Sequence, residues 1–336
     1  MRIFIIIGLL IGLILEASGS TMTKVGTTAA PFLEIGIGSR ASALGGAFVA
    51  LADDASALYW NPAGLARMAT PQMIFSRTQW LADINLNYAG AIVPLGVYGA
   101  VGLSGTFMNS GDMDVRTILQ QEGTGEKFQV SDICLGVAYA LNLTDRFSLG
   151  FNAKYIQQKI AHCESRAMAL DIGTLFITQW HGLRLGASLY NFGTAMKMQG
   201  QDLMIYYDPD ATKTGNNDKI ISYQGTDEWE LPMNFQAGLA VNVVERSYHR
   251  LSLSVDLLHP SNNSESINAG LEYGLNRLVF LRCGWASAFQ KDSEEGATFG
   301  AGLKKRLGGS YLVIDYAYSD FSRLENTQRF SFIFQF

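Results

Sequence analysis

From Met73 onward, apolar and polar residues alternate with a period of two, segment after segment. Successive side chains of a strand point to opposite faces, so this is the signature of strands half buried in an apolar medium. In 147–155, Phe147, Leu149, Phe151, Ala153 and Tyr155 share one face; Ser148, Gly150, Asn152 and Lys154 share the other. In 251–257 the faces are Leu251, Leu253, Val255 and Leu257 against Ser252, Ser254 and Asp256. In 267–273 they are Ile267, Ala269, Leu271 and Tyr273 against Asn268, Gly270 and Glu272. The chain ends on Phe330, Phe332, Phe334 and Phe336, interleaved with Ser331, Ile333 and Gln335. The pattern predicts about fourteen strands, near 73–80, 85–93, 98–107, 131–141, 147–157, 167–178, 183–192, 234–244, 251–258, 267–274, 278–286, 297–304, 311–318 and 328–336.

The connections choose between a soluble sandwich and a membrane barrel. Those after every second strand are tight, at 94–97, 142–146, 179–182, 245–250, 275–277 and 306–310. The others are mostly longer, notably 108–130, 158–166, 193–233, 287–296 and 319–327. Short turns alternating with long loops over an even strand count, with a terminal Phe, predict an all-β, transmembrane antiparallel barrel of about fourteen strands. Both termini are then expected on the periplasmic side. A closed barrel satisfies every backbone polar group in lipid, with no open edge. The charge-free stretch 84–111 does not compete as a transmembrane helix, because Pro94-Leu95-Gly96 and four glycines break it into a hairpin.

Residues 39–65 follow another rule. Ala41, Leu44, Phe48, Leu51, Ala55 and Leu58 recur at three- and four-residue steps, a helical stripe interrupted by Gly45-Gly46. Asp53-Asp54 is expected to cap a short helix, and Asn61-Pro62 repeats the device with Asn at the N-cap and Pro at the first helical position. Short capped helices ahead of a wide barrel predict a plug, since a bore of about fourteen strands is wider than side chains fill.

At the N-terminus one cation, Arg2, precedes the apolar run 3–15 and then Ala17, Ser18, Gly19 and Ser20. This order predicts a secretory signal peptide cleaved near 17–20. The run is too short to span a bilayer as a helix. The organisation expected is therefore a signal peptide over 1–19, a hatch over 20–72 and a barrel over 73–336.

Composition supports the membrane reading. Charged residues make up 16% of the 336, the net charge is −5, and glycine contributes 35 residues. Typical soluble domains carry roughly 25% charge, so the outer faces of a sandwich would be undersupplied. A mild acidic balance excludes the basic stripe of a nucleic-acid binder. Cys134, Cys163 and Cys283 are odd in number and far apart, so they read as small packing residues.

The run from Gly38 to Ala66, GSRASALGGAFVALADDASALYWNPAGLA, resembles the N-terminal signature of the PorV/PorQ family of outer-membrane proteins, within the wider FadL-like barrels. The matching positions are Arg40, Gly45, Gly46, Asp53, Asp54, Asn61, Pro62 and Gly64. The resemblance implies a FadL-like barrel with an N-terminal hatch in the lumen. It further implies work in type IX secretion, receiving exported cargo and handing it to a surface attachment machine. Outer-membrane lipid, the barrel-assembly machinery, secreted cargo and other envelope proteins are the partners so implied. A FadL-type transporter of hydrophobic small molecules and a structural envelope anchor stay open beside it.

The remaining chemistry is sparse. His181 and His249 fall in short turns and His162 and His259 at outer loops, none in a strand beside an outward Ser, so no nucleophile and base are placed together. No enzyme activity, cofactor or metal is expected. Asp208-Pro209-Asp210 reads as a solvated turn. Asp171, Asp256, Glu272, Arg282 and Asp315 fall on the polar phase of their strands and are expected in the lumen, holding the hatch. Arg40 needs such carboxylates, because a lone guanidinium inside the bore requires a partner. Met204, Tyr206, Tyr207, Tyr223 and Trp229 sit in the longest outer loop and are candidates for partner or ligand contact, or for packing over the mouth. Phe336 is the expected assembly signal.

Overall fold

The computed structural model describes residues 25–336 apart from 211, 213–218, 291–292 and 324–325; the predicted signal peptide lies outside the described residues. Fourteen antiparallel strands of the described chain close into a barrel: β1 (Gln72–Gln79), β2 (Asn85–Pro94), β3 (Ala100–Asn109), β4 (Val130–Asn142), β5 (Phe147–Ile160), β6 (Cys163–Ile177), β7 (Arg184–Gly193), β8 (Asn234–Glu245), β9 (His249–Pro260), β10 (Ser266–Leu275), β11 (Val279–Ala288), β12 (Ala297–Leu307), β13 (Ser310–Ser319) and β14 (Thr327–Gln335). Each pairs with its neighbours in sequence, and β1 closes on β14 with Gln72 opposite Gln335 and Gln79 opposite Gln328. The closure is extended by Phe336, whose amide donates to the Pro71 carbonyl at 3.0 Å. None of the helices among the described residues is long and apolar enough to cross a membrane.

The alternation sorts the faces as its period requires. Phe75, Leu103, Val137, Leu253, Phe330 and Phe332 are exposed on the outer surface, while Ser76, Asn152, Asp256, Glu272 and Ser331 are buried toward the lumen. One half of the lumen departs from the expected polar wall. On β1–β5, Ile74, Leu86, Tyr88, Ile92, Ala138, Ala140 and Ile156 also face inward and join one buried cluster with Phe32, Leu44, Phe48, Leu51 and Leu58 of the plug. An apolar plug surface needs an apolar wall to lose water against.

Two features of the connections differ from the sequence expectation. The region 158–166 is not a long loop: β5 and β6 run on and meet at the two-residue turn Ala161-His162, with Ala161 at φ 51°. Beyond the lipid a strand needs no apolar face, so the polar Lys159, Glu164 and Arg166 hid these extensions. The outer connections at 80–84 and 261–265 are short as well, so the alternation of loop length is incomplete.

The described N-terminal leg lies at the outer mouth, while the barrel's own two ends meet at the short-turn side; the N-terminus itself lies outside the described residues. Ala29 donates its amide to the Glu230 carbonyl (2.9 Å), Ala30 to Gln158 Oε1 (3.0 Å), and Asn262 Nδ2 to Thr28 Oγ1 (3.1 Å), all at the outer ends of strands or in outer loops. The chain then descends through the lumen and reaches β1 at the short-turn side. An even strand count fixes only where the barrel's own two ends lie. The hatch preceding them is long enough to cross once more.

Candidate functional site

The hatch is not a continuous helix. It consists of a 3-10 turn (Pro31–Glu34), helix α1 (Ser39–Ala43), turns through 44–56, helix α2 (Ala57–Trp60) and a second 3-10 turn (Pro62–Arg67). All six residues of the predicted stripe are buried, but Gly45 and Gly46 break the helix at φ 67° and 78°. Gly45 is required twice, since a Cβ there would also lie 2.6 Å from the backbone of Trp285 on β11. On the barrel side Gly150 gives the same access: a Cβ would lie 2.3 Å from the Pro62 carbonyl carbon. Gly64 likewise packs against the Ala52 carbonyl.

Asn61 acts as foreseen. Its Oδ1 accepts from the Ala63 amide (3.1 Å) at the start of the second 3-10 turn, with Pro62 behind it, and its Nδ2 donates to Val49 O (2.8 Å) and Thr174 O (3.0 Å). The Asp53-Asp54 cap is corrected. Asp54 Oδ1 accepts from the Ser56 amide and hydroxyl, making a turn ahead of α2, whose own N-cap Ser56 makes no side-chain cap bond. Asp53 instead turns to two arginines.

Eight charged side chains form the deepest seat of the hatch. Arg40 Nε donates to Glu272 Oε2 (2.7 Å) and its Nη2 to Oε1 (3.1 Å); its Nη1 reaches Asp53 (2.5 Å) and Asp54 (2.9 Å). Glu272 also receives Arg250 (2.6 Å) and Arg282 (2.8 Å), Arg282 bridges on to Asp315 (2.6 Å), and Arg184 stands 3.5 Å from Asp53. Four arginines against four carboxylates leave the cluster neutral, as burial demands. Of the four carboxylates foreseen for Arg40, it meets Glu272 alone. Asp315 serves Arg282, Asp171 pairs with Lys154 (2.7 Å) and accepts the Asn191 amide (2.8 Å), and Asp256 Oδ2 accepts the amides of Phe48 (2.7 Å) and Val49 (2.9 Å) and Gln236 Nε2 (2.8 Å). The sequence reading missed Arg184, Arg250 and Gln236, and it placed Lys154 on the polar face of its strand without a role. Their parity could have found them, because each shares the lumenal phase of its strand with residues such as Ser188 or Ser252.

Above the hatch, toward the outer loops, lies a vestibule of about 210 Å³. Its floor is Gly45, Gly46, Tyr59 and Trp60, and its wall includes Tyr190, Asn234, Gln236, Asn268, Thr298 and Arg329. Tyr59 and Trp60 are fixed by bonds from Tyr59 OH to Leu33 O (2.9 Å) and from Trp60 Nε1 to Ile37 O (2.7 Å), and Tyr190 OH donates to Trp60 O.

The long outer loop is organised rather than irregular. Met196–Lys197 pairs with Glu228–Trp229, and Met204–Tyr207 pairs with Ile220–Tyr223 as a projecting hairpin. Met204, Ile205, Tyr206, Tyr207, Ile220, Ile221 and Tyr223 are all exposed, as is Trp229. At the loop's base the His162 amide and Nδ1 meet Asp202 at 3.1 Å, and that amide bond, with the ring beside it, holds the Asp202 carboxyl below its ordinary value. His249 opens β9 rather than lying in the turn, with Nδ1 2.7 Å from Tyr273 OH. Phe336 stands exposed at the other end of the barrel.

The family model described as Type IX secretion system protein PorV matches residues 18–180, which spans the hatch and the first six strands. The match covers just under half of this chain and makes its N-terminal part similar to PorV. No curated protein matches the chain. Among solved structures, the barrel is similar to the CymD monoaromatic hydrocarbon channel (TM-score 0.57, 10% identity, 90% of this chain and 97% of that one). It is also similar to the Pseudomonas putida toluene transporter TodX (TM-score 0.51, 10% identity, 89% and 97%). At such identities the likeness is one of fold: the chain is a fourteen-stranded barrel of the same architecture as these channels.

Proposed function

We propose that this barrel is a partner-binding component of the outer membrane, working in protein export of the type IX kind, with its bore kept closed by the hatch. The observation carrying the reading is the projecting hairpin. Tyr206 and Ile221 face each other across it, as do Tyr207 and Ile220 and Met204 and Tyr223, and all six stay exposed. A two-stranded hairpin with apolar side chains on both faces is costly in water unless something covers it. Met and Tyr are the adaptable anchors that protein interfaces favour. The family's printed role in secretion supports a protein rather than a lipid as that cover.

The closed bore is supported by the neutral eight-charge seat and by Asp256 holding the Phe48 and Val49 amides. The test uses a photocrosslinking side chain at Tyr207 or Trp229 in native cells, together with planar-bilayer recording of the purified barrel. One defined envelope or exported protein trapped from either position, with no stable conductance, is the expected outcome. Large steady conductance with no crosslinked protein would overturn it. Saturable uptake of long-chain apolar ligands would favour the hydrophobic transporter instead.

A further inference from the structure

Arg329 on β14 differs from the arginines of the hatch seat. It is 5% exposed, yet its head group makes one hydrogen bond, from Nη1 to Ser319 Oγ at 3.3 Å. Its Nε is enclosed without a partner, and among the described residues no carboxylate lies within ion-pair distance. Arg40, Arg184, Arg250 and Arg282 each hold carboxylates and Lys154 holds Asp171, so these five lumenal cations are matched by counter-charges of the barrel and hatch. The guanidinium is also braced: it lies 5.6 Å from the Trp80 ring centre, and Trp80 packs edge-on against Phe321 at 5.3 Å. A buried, rigid, unpaired guanidinium facing a cavity is a recognition element for an oxyanion, because its planar fork matches a carboxylate.

The cavity it faces is the outer vestibule, and its wall decides the rest of the ligand. Asn234, Asn268, Gln236, Ser266 and Thr298 line it beside Tyr59 and Trp60, so its wall offers hydrogen bonds as well as aromatic faces. A long apolar chain would leave these groups unpaired. Two carboxylates share the wall, but Glu34 is bonded to Asn262 and Glu295 to the Ser287 hydroxyl. They disfavour a multiply charged anion and tolerate a ligand that brings its own donors.

We propose that the outer vestibule binds a small hydrophilic ligand through one carboxylate, held by Arg329, with the Asn, Gln and Ser wall taking its remaining polar groups. The site opens to the outside and stands independently of the partner-binding reading, which concerns the hairpin. Sodium glutamate serves as the probe for the full-length barrel in detergent, with tryptophan emission, to which Trp80 and Trp60 contribute, and arginine Nε NMR signals as readouts. A saturable change in both is expected. It should weaken at least about tenfold in Arg329→Lys and Arg329→Gln, the least that losing a charge-assisted bond takes. Should Arg329→Gln fail to assemble, Arg329→Lys, which keeps the charge and loses the fork, carries the test. No saturable change in the unaltered protein, equal affinity in the variants, or an equal response to sodium phosphate would overturn the proposal. A response to decanoate without one to glutamate would also overturn it, by making the site apolar.

Discussion

Glu272→Gln removes the hub of the hatch seat. The carboxylate is 1% exposed and accepts from Arg40, Arg250 and Arg282 at 2.6–3.1 Å. Without it, Arg40 keeps Asp53 and Asp54 and Arg282 keeps Asp315, whereas Arg250 is left with no carboxylate among the described residues and a side chain 31% exposed. Breaking a buried pair by deleting one partner costs about 3–5 kcal/mol. Two of the three arginines retain partners, so the lower end applies: about 3 kcal/mol, or roughly a hundredfold rise in the unseated hatch population. Asp53→Asn is the internal control. It touches the same Arg40 through a side chain 38% exposed, where an ion pair contributes about 0–1 kcal/mol and thus at most about fivefold. A single cysteine at the buried Ser42, with Cys134, Cys163 and Cys283 changed to Ala, reports unseating through the rate of maleimide labelling. If labelling in Glu272→Gln is no faster than in Asp53→Asn, the buried network does not hold the hatch and the reasoning fails.

Three further outcomes follow from the same geometry. Gly45→Ala should unseat the hatch in that labelling assay, because both φ and the Trp285 backbone oppose a Cβ, whereas Gly96→Ala, at φ 63° with open space around it, should cost only about 1 kcal/mol; equal effects would refute the close-approach argument. Asp202 has its carboxyl held below the ordinary value, so its contact with His162 contributes above about pH 4 and is lost as pH falls through the lowered value; protection of the His162 amide relative to its intrinsic exchange rate should fall only at the acid end, and a loss of protection between pH 5 and 8 would contradict the assignment. Deleting Phe336 should lower the amount of heat-modifiable barrel in the outer membrane, and unchanged assembly would reduce this residue to a packing role.

Much of the barrel was legible in the chain because lipid imposes a strict period. Every strand must show apolar side chains outward, so the alternation located all fourteen strands and the parity of Asp256, Glu272, Arg282 and Asp315 placed them in the lumen. The hatch was legible for a different reason: Asn61-Pro62 and Gly45-Gly46 encode local backbone geometry that any neighbours must accept. Where the period lapsed the sequence was silent. The β5–β6 extension stands beyond the lipid with polar residues on both faces, and the inward Ile74, Leu86 and Ile92 make sense only once the apolar plug is known to lie against them. Pairing was decided by closure alone. Which carboxylate meets Arg40, which carboxylate accepts the Phe48 and Val49 amides, and which arginine meets no carboxylate among the described residues depend on how a descending segment meets a curved wall, and the contacts of Arg40 with Glu272 and of Asp256 with Phe48 join residues more than two hundred positions apart. The period fixes the face of each side chain, while its partner is set by the depth and rotation of the plug, which no local pattern encodes.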